Sequence, residues 1–415
     1  MYREGRPVIY SILINSTETR RADSPMRMWC KWWDSNPRPL PYQGSALPAE
    51  PHLHGSGIIK ARTHQVNMQR QIPRLPFDQL IDQLDQYDAL IDVRAPAEFL
   101  EDHIPGAINL PVLSDAEREE VGTLYKQVNP FTARKRGAAL TAQNIARHLE
   151  TLSDHDKDWT PLIYCWRGGQ RSGSMALVFN EIGWPVTLIQ GGYKAYRRHV
   201  ITALETLSTA FEFRVLTGPT GAGKTRLLHG LQARGAQILD LEGLANHRGS
   251  LLGEAPQSDQ PKQKLFESRL YAALRMFDRK EPVWIESESS KIGEIHLPNQ
   301  LFKHLMQSKG VRVDCSRARR AEYLCQDYQH LTDNPDKTHA LIEKLTFRHS
   351  RGQVDAWRQL IDDRAWLQLA DSLLEVHYDP AYAQSQKRLQ VIADCTLEHP
   401  GELSDAVFNQ LMDAS

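Results

Sequence analysis

Two stretches of this chain combine residue types whose spacing could do chemistry. In "YCWRGGQRSG", Tyr164 to Gly173, a thiol ends an apolar run and opens a loop that also carries Arg167 and Arg171. A thiolate, not a thiol, is the nucleophile. Loop amides, the start of a helix near Ser172 and the two guanidinium groups would all favour it, so Cys165 reads as a reactive thiolate rather than an inert core residue. In "GPTGAGKT", Gly218 to Thr225, the full G-x-x-x-x-G-K-[ST] pattern follows the apolar run "FRVLT" and opens a helix. Gly218, Gly221 and Gly223 let backbone N–H groups turn inward around a phosphate. Lys224 adds a point charge, the helix N-terminus its partial positive end, and Thr225 could hold a magnesium ion. This loop binds a phosphate or diphosphate.

An acidic partner belongs at the end of a neighbouring strand. "VWIESES" offers Glu286 and Glu288, and "LDLEG" offers Asp240 and Glu242. Basic residues gather in "ARKR" (Arg134, Lys135, Arg136), "YKAYRRH" (Lys194, Arg197, Arg198), "NHRGS" (Arg248) and "SRARR" (Arg317, Arg319, Arg320). The last run could close over a phosphate. All four are candidates for contact with a polyanion, since a net charge of -1 over 415 residues excludes a global positive field.

The elements that must position these loops follow from the apolar pattern. "ALIDV", "PLIYC" and "PVTLI" read as buried strands and alternate with the helical stretches "SGSMALVFNEIG" and "GGYKAYRRHVITALETL". "FEFRVLT" opens a second such series, with further strands expected at "AQILDL", "PVWIES", "VRVDCS" and "LLEVHY". The expected fold is α/β: a parallel-sheet domain over 68–205, then a phosphate-loop α/β domain over 206–415 ending in a helical segment. Residues 1–67 sustain neither period 2 nor period 3.6. They read as an unstructured extension, or as the result of a start placed before Met68, rather than as a binding arm. The five cysteines include no CxxC pair and no zinc spacing, which fits reduced intracellular thiols. With no apolar run near the roughly 20 residues that cross a bilayer, a soluble cytoplasmic protein is expected, with no tightly bound cofactor.

"LIDVRAPAEFLEDHIPGAINLP", "YCWRGGQRSG" and "LIQGGYKAYR" together resemble a rhodanese-type domain, whose loop cysteine carries a persulfide. Asp102 stands where many rhodaneses have glycine. The five residues between Cys165 and Arg171 are also the spacing of cysteine-dependent phosphatases, whose loop has room for a tetrahedral oxyanion. Both domains together resemble the bacterial tRNA 2-selenouridine synthases, a rhodanese domain fused to a P-loop domain. The strings that carry this are "EREEVGTLYKQ", "CWRGGQRS", "GGYKAYR", "GPTGAGKT", "DLEGLANHRGS" and "WIESESSKIG".

The resemblance implies a two-step exchange at a wobble 2-thiouridine. Geranyl diphosphate first alkylates the sulfur, and selenophosphate then replaces the S-geranyl group with selenium. Cys165 would attack selenium and hold it while the loop N–H groups and Arg171 hold phosphate. The implied partners are the tRNA and an enzyme that supplies selenophosphate. Two other readings use the same residues: a phosphatase or arsenate-reductase-like enzyme with an accessory nucleotide-binding domain, and a non-catalytic tRNA-binding regulator gated by ATP.

Overall fold

The apolar runs pair as two parallel sheets. The first contains β1 (Arg74–Pro76), β2 (Ala89–Asp92), β3 (Ile108–Asn109), β4 (Pro161–Tyr164) and β5 (Thr187–Gln190), in the order β1-β5-β4-β2-β3. The second contains β6 (Phe213–Thr217), β7 (Gln237–Leu239), β8 (Val283–Glu286), β11 (Lys309–Asp314) and β12 (Gln390–Thr396), in the order β12-β11-β6-β8-β7. Between β8 and β11, β9 (Lys291–Ile292) and β10 (Ile295–His296) form a small antiparallel pair. The computed structural model describes residues 71–247, 259–287, 289–385 and 389–413. The N-terminal extension, Arg248 and Glu288 lie outside the described residues.

β4 and β6 occupy interior places in their sheets, and every residue of each is buried. Ile163 of β4 lies opposite Ile91 of β2 and Leu188 of β5. Val215 of β6 lies opposite Ile285 of β8. Such strands are covered on both faces, which is why their sequences are continuous apolar runs rather than alternating ones. Each sheet also changes strand order beside its interior strand, so the carboxyl end of that strand opens into a crevice. Cys165 and the Gly218–Thr225 loop sit at those two ends.

The chain differs from the expected pattern near its C-terminal end. "LLEVHY" is not a strand: Leu373 ends the helix Trp366–Leu373, and Leu374–Tyr378 continue it as a wider turn. Leu373 packs with Ile342, Val354, Trp357 and Leu369 in a helical satellite core, and that burial overrides the β-like run of apolar residues. The fifth strand of the second sheet is instead "QVIADCT", an edge strand with mostly exposed side chains and hence little apolar signal.

The two sheets do not behave as beads on a string. Phe77, Tyr193, Tyr196, Val200 and Leu204 share one buried cluster with Phe213, Phe266, Leu270 and Tyr271. The helix Gly192–Leu207 meets the helix Gln263–Leu274 across it, with Arg197 paired to Glu267 and the His199 ring nitrogen 2.9 Å from the Tyr271 hydroxyl. Arg275 also donates to the Ile81 carbonyl at 2.7 Å. Side chains of this size stabilise by about 1.5–3 kcal/mol each when buried, so the joint is packed like a core.

Under the first sheet, Arg94 is 1% exposed and grips Asp92, itself 0% exposed, at 2.6 Å. The same guanidinium donates to the Asp102 carbonyl at 2.6 Å and lies 4.0 Å from the Tyr193 ring centre. Arg94→Met should therefore lower stability by about 3–5 kcal/mol, because it strands a buried carboxylate. Denaturant unfolding of the variant measures this. An unchanged midpoint would show that Asp92 needs no counter-ion.

Candidate active site

Cys165 directly follows β4 and is almost fully buried. Two donors reach it: the Gly169 N–H at 3.3 Å and the Ser172 hydroxyl at 3.2 Å. Both lie where the loop becomes the helix Gln170–Ile182, so the sulfur faces that helix N-terminus. The loop is fastened from outside. Tyr193 N–H donates to the Cys165 carbonyl at 2.8 Å, Lys194 N–H to the Trp166 carbonyl at 3.0 Å, and Arg74 to the Gly168 carbonyl at 2.8 Å. This close approach requires glycine at position 192. Its φ is +56°, and a Cβ there would stand 2.2 Å from the Cys165 carbonyl oxygen.

Arg167 is exposed at the loop, and Trp166 beside it is 39% exposed. Arg171 donates to Glu98 at 2.7 Å, and Arg118 also reaches Glu98 at 3.1 Å. Burial works against charge on Glu98, yet Arg171 and then Arg118 hold its carboxyl below the usual range. The Arg171 charge is thus shared with a carboxylate. Asp102, at the glycine position of many rhodaneses, has extended backbone (φ −171°) that needs no glycine. Its buried carboxylate accepts from the Tyr193 hydroxyl at 2.7 Å and lies 3.9 Å from Arg197. Burial pushes this carboxyl up, against the pull of Tyr193 and the arginines.

The second loop leaves β6 and caps the helix Lys224–Gln232 with Gly223. Gly218 passes so close to β11 that a Cβ would stand 2.3 Å from the Val313 carbonyl oxygen. Lys224 reaches back over the loop to the Gly218 carbonyl at 3.0 Å. Glu286, the last residue of β8, lies beside it with one carboxylate oxygen buried and without a hydrogen-bond partner. Burial pushes the Glu286 carboxyl up, while Lys224 and a hydrogen bond from Thr225 oppose that. These groups border a cleft of about 1110 Å³ that also touches Glu242.

The other acidic candidate is engaged locally. Asp240 caps the short helix Leu241–Ala245 by accepting from the Gly243 N–H at 2.7 Å, and its second oxygen meets His229 at 2.9 Å. No group of three or more His, Cys, Asp or Glu side chains that could cage a metal occurs among the described residues.

The basic candidates divide by environment. Arg134, Lys135, Lys194 and Arg198 are exposed, and Lys194 and Arg198 are one helical turn apart on a single face. Arg136 pairs with Glu120, Arg317 with Asp371 and Glu375, and Arg319 with Glu322. Arg320 corrects the reading of "SRARR" as a lid or a tRNA contact. It is buried, paired with Asp379 at 2.8 Å, and donates to the Thr220 carbonyl at 3.0 Å. It buttresses the phosphate loop from behind. Arg197 is likewise held in the joint by Glu267.

Sequence reading missed Ser172 as a hydrogen-bond donor to the sulfur, Glu98 as the counter-ion of Arg171, and Asp379 as that of Arg320. Only Ser172 had a local signal, as a hydroxyl in the first helical turn after the loop.

Comparison with known proteins agrees with this layout. A model of the rhodanese-like domain matches residues 77–199, and a model described as the tRNA 2-selenouridine synthase AAA domain matches residues 211–359. A protein from Bdellovibrio bacteriovorus named tRNA 2-selenouridine synthase is 33% identical over 76% of this chain and 93% of its own length. One from Nitrosomonas eutropha with the same name is 34% identical over 77% of this chain and 94% of its own length. With a namesake from Nitrosomonas europaea the identity is 38%, over 58% of this chain and 63% of that protein, which is less than two thirds of its length.

Proposed function

Since the chain belongs to the tRNA 2-selenouridine synthase family, we propose that it exchanges sulfur for selenium at a wobble 2-thiouridine by way of an S-geranyl intermediate. The observation that carries this reading is the pair of anion-binding loops, each at the carboxyl end of an interior strand and both joined through one core. At the phosphate loop, Lys224 and the helix N-terminus hold the diphosphate of geranyl diphosphate. The thiouridine sulfur attacks the first geranyl carbon, the S–C bond forms as the C–O bond breaks, and diphosphate departs. Alkylation turns a poor leaving group into a good one.

At the other loop Cys165 frees selenium from selenophosphate. Selenium there is already at the selenide level, so the sulfur attacks phosphorus: the S–P bond forms as the Se–P bond breaks with its pair on selenium, while the loop N–H groups and Arg167 face the anion. The freed selenide attacks C2, the C2–Se bond forms as the C2–S bond breaks, geranyl thiol leaves, and water hydrolyses the S–P link to phosphate. Thr225 and Glu286 fit a magnesium ion, because Glu286 presents a buried carboxylate oxygen with no other partner. Such an ion would offset diphosphate charge. The reaction belongs in the cytoplasm, with a selenophosphate-producing enzyme as supplier. Among the described residues, no helix is long and apolar enough to cross a membrane.

The test is to incubate the purified protein with thiolated tRNA, geranyl diphosphate and selenophosphate and to analyse the nucleosides by mass. S-geranyl-2-thiouridine and 2-selenouridine are both expected. Phosphate release from phosphoesters with an unchanged nucleoside would favour the phosphatase reading instead.

Binding of tRNA should depend on the exposed cations rather than the paired ones. Charge reversal at Lys194 and Arg198 should weaken tRNA binding and lower the log–log salt slope by about 0.9 for each duplex phosphate no longer neutralised. Geranyl diphosphate binding without tRNA should not change. Unaltered tRNA affinity at low and moderate salt would place the tRNA path elsewhere. Arg197 is left out of this test because its replacement would also open the joint at Glu267.

A further inference from the structure

Beside the phosphate cleft lies a second, smaller cavity of about 90 Å³, walled by the helices Arg317–Asp327, Pro335–Glu343 and Trp366–Leu373. Thr220 of the phosphate loop, Leu324, Tyr328 and Tyr378 border both spaces, so the cavity opens from the phosphate site itself. The packing is close there: a Cβ on Gly221 would stand 3.0 Å from Leu324 Cγ. The far wall is aliphatic, formed by Ile342, Leu369, Ala370 and Leu373.

Two of its three threonines turn their hydroxyls back to their own backbone. Thr338 donates to the Leu331 carbonyl at 2.7 Å, and Thr332 to the Gln329 carbonyl at 2.9 Å. Cys325, on the same wall, has its thiol pushed up by burial. A nucleotide base placed here would leave its polar edge unpaired, which is costly. A hydrocarbon would leave nothing unpaired. The space holds roughly six to nine water-sized spheres at about 10–15 Å³ each, on the scale of a short branched chain.

We infer that this cavity receives the isoprenoid tail of the diphosphate ester whose head lies at Lys224. The site rests on the reading that the phosphate loop grips geranyl diphosphate, and it deepens that reading by placing the apolar half of the substrate. Thr220 then stands at the junction of head and tail. Arg320, which donates to the Thr220 carbonyl from behind, fixes that junction. Access for the tail runs between Tyr328 and Tyr378.

The experiment compares wild type with Ala370→Phe, which adds bulk to the aliphatic wall and changes no residue of the phosphate loop. Binding of geranyl diphosphate and of inorganic diphosphate is measured on the full chain without tRNA. The variant should bind geranyl diphosphate at least about tenfold more weakly, since the tail loses its apolar burial. Inorganic diphosphate should bind within about twofold of wild type, which also shows that the variant is folded.

A second measurement needs no substitution: geranyl diphosphate should slow alkylation of Cys325 by N-ethylmaleimide, read by peptide mass, whereas inorganic diphosphate should not. If geranyl diphosphate binds normally to the variant and leaves Cys325 unprotected, the tail lies elsewhere. The inference then falls while the phosphate-loop reading stands. If ATP protects Cys325 and loses affinity in the variant, the cavity takes a base and the inference is overturned. If wild type binds geranyl diphosphate no better than inorganic diphosphate and transfers no geranyl group, both the cavity assignment and the loop reading fail.

Discussion

Cys165→Ser is expected to lose selenium incorporation while S-geranylation of the same tRNA continues. The sulfur is the acceptor for the Gly169 N–H and the Ser172 hydroxyl at the start of a helix, which hold it in place in the loop. A serine alkoxide is not accessible near neutral pH and so cannot replace the thiol as nucleophile. Removing a covalent nucleophile can cost on the order of 10⁶ in rate, so selenouridine should fall to background. Geranylation needs only the phosphate loop and the bound tRNA, and the S-geranyl nucleoside should accumulate. Nucleoside mass analysis over a time course reads both. If a folded, tRNA-binding C165S loses both steps to the same extent, the division of labour between the loops is wrong.

Lys224→Ala should do the reverse. The ammonium group lies over the loop that faces the departing diphosphate, and Glu286 beside it cannot replace its charge. Loss of a single electrostatic donor at such a site costs about 10²–10³ in rate. Geranyl transfer should fall by that factor. Chemically supplied S-geranyl-2-thiouridine tRNA should still be converted to the seleno form at the wild-type rate. Full geranyl transfer by K224A would remove the lysine from the mechanism.

Much of this layout was legible in the sequence because both loops are contiguous. A strand, a glycine-bearing turn and a helix N-terminus lie within about a dozen residues in each case, so local pattern alone places Cys165 and Lys224. Glu286 was legible for a related reason, as a carboxylate at the end of an apolar run expected to be a neighbouring strand. What stayed hidden depends on distant partners. Glu98 meets Arg171 across 73 positions, and Asp379 meets Arg320 across 59. No spacing rule connects such pairs.

"SRARR" reads as a surface run because charge dominates its composition. In the helix Arg317–Asp327, however, Arg320 falls on the face turned toward the phosphate loop, and its neighbours Arg317 and Arg319 fall on exposed faces. "LLEVHY" misled for the opposite reason: local β-like composition lost to packing around Trp357. The apolar cavity could not be read at all, since its walls come from several separate helices whose apolar residues look like ordinary core positions.

The most direct measurement of the central claim is a single-turnover time course of wild type on 2-thiouridine tRNA with selenophosphate, run with and without geranyl diphosphate. With both donors, S-geranyl-2-thiouridine should rise first and decay as 2-selenouridine appears. Without geranyl diphosphate, no selenouridine should form. Selenouridine produced at an undiminished rate in the absence of the geranyl donor would contradict the account, because the phosphate loop would then have no part in the exchange.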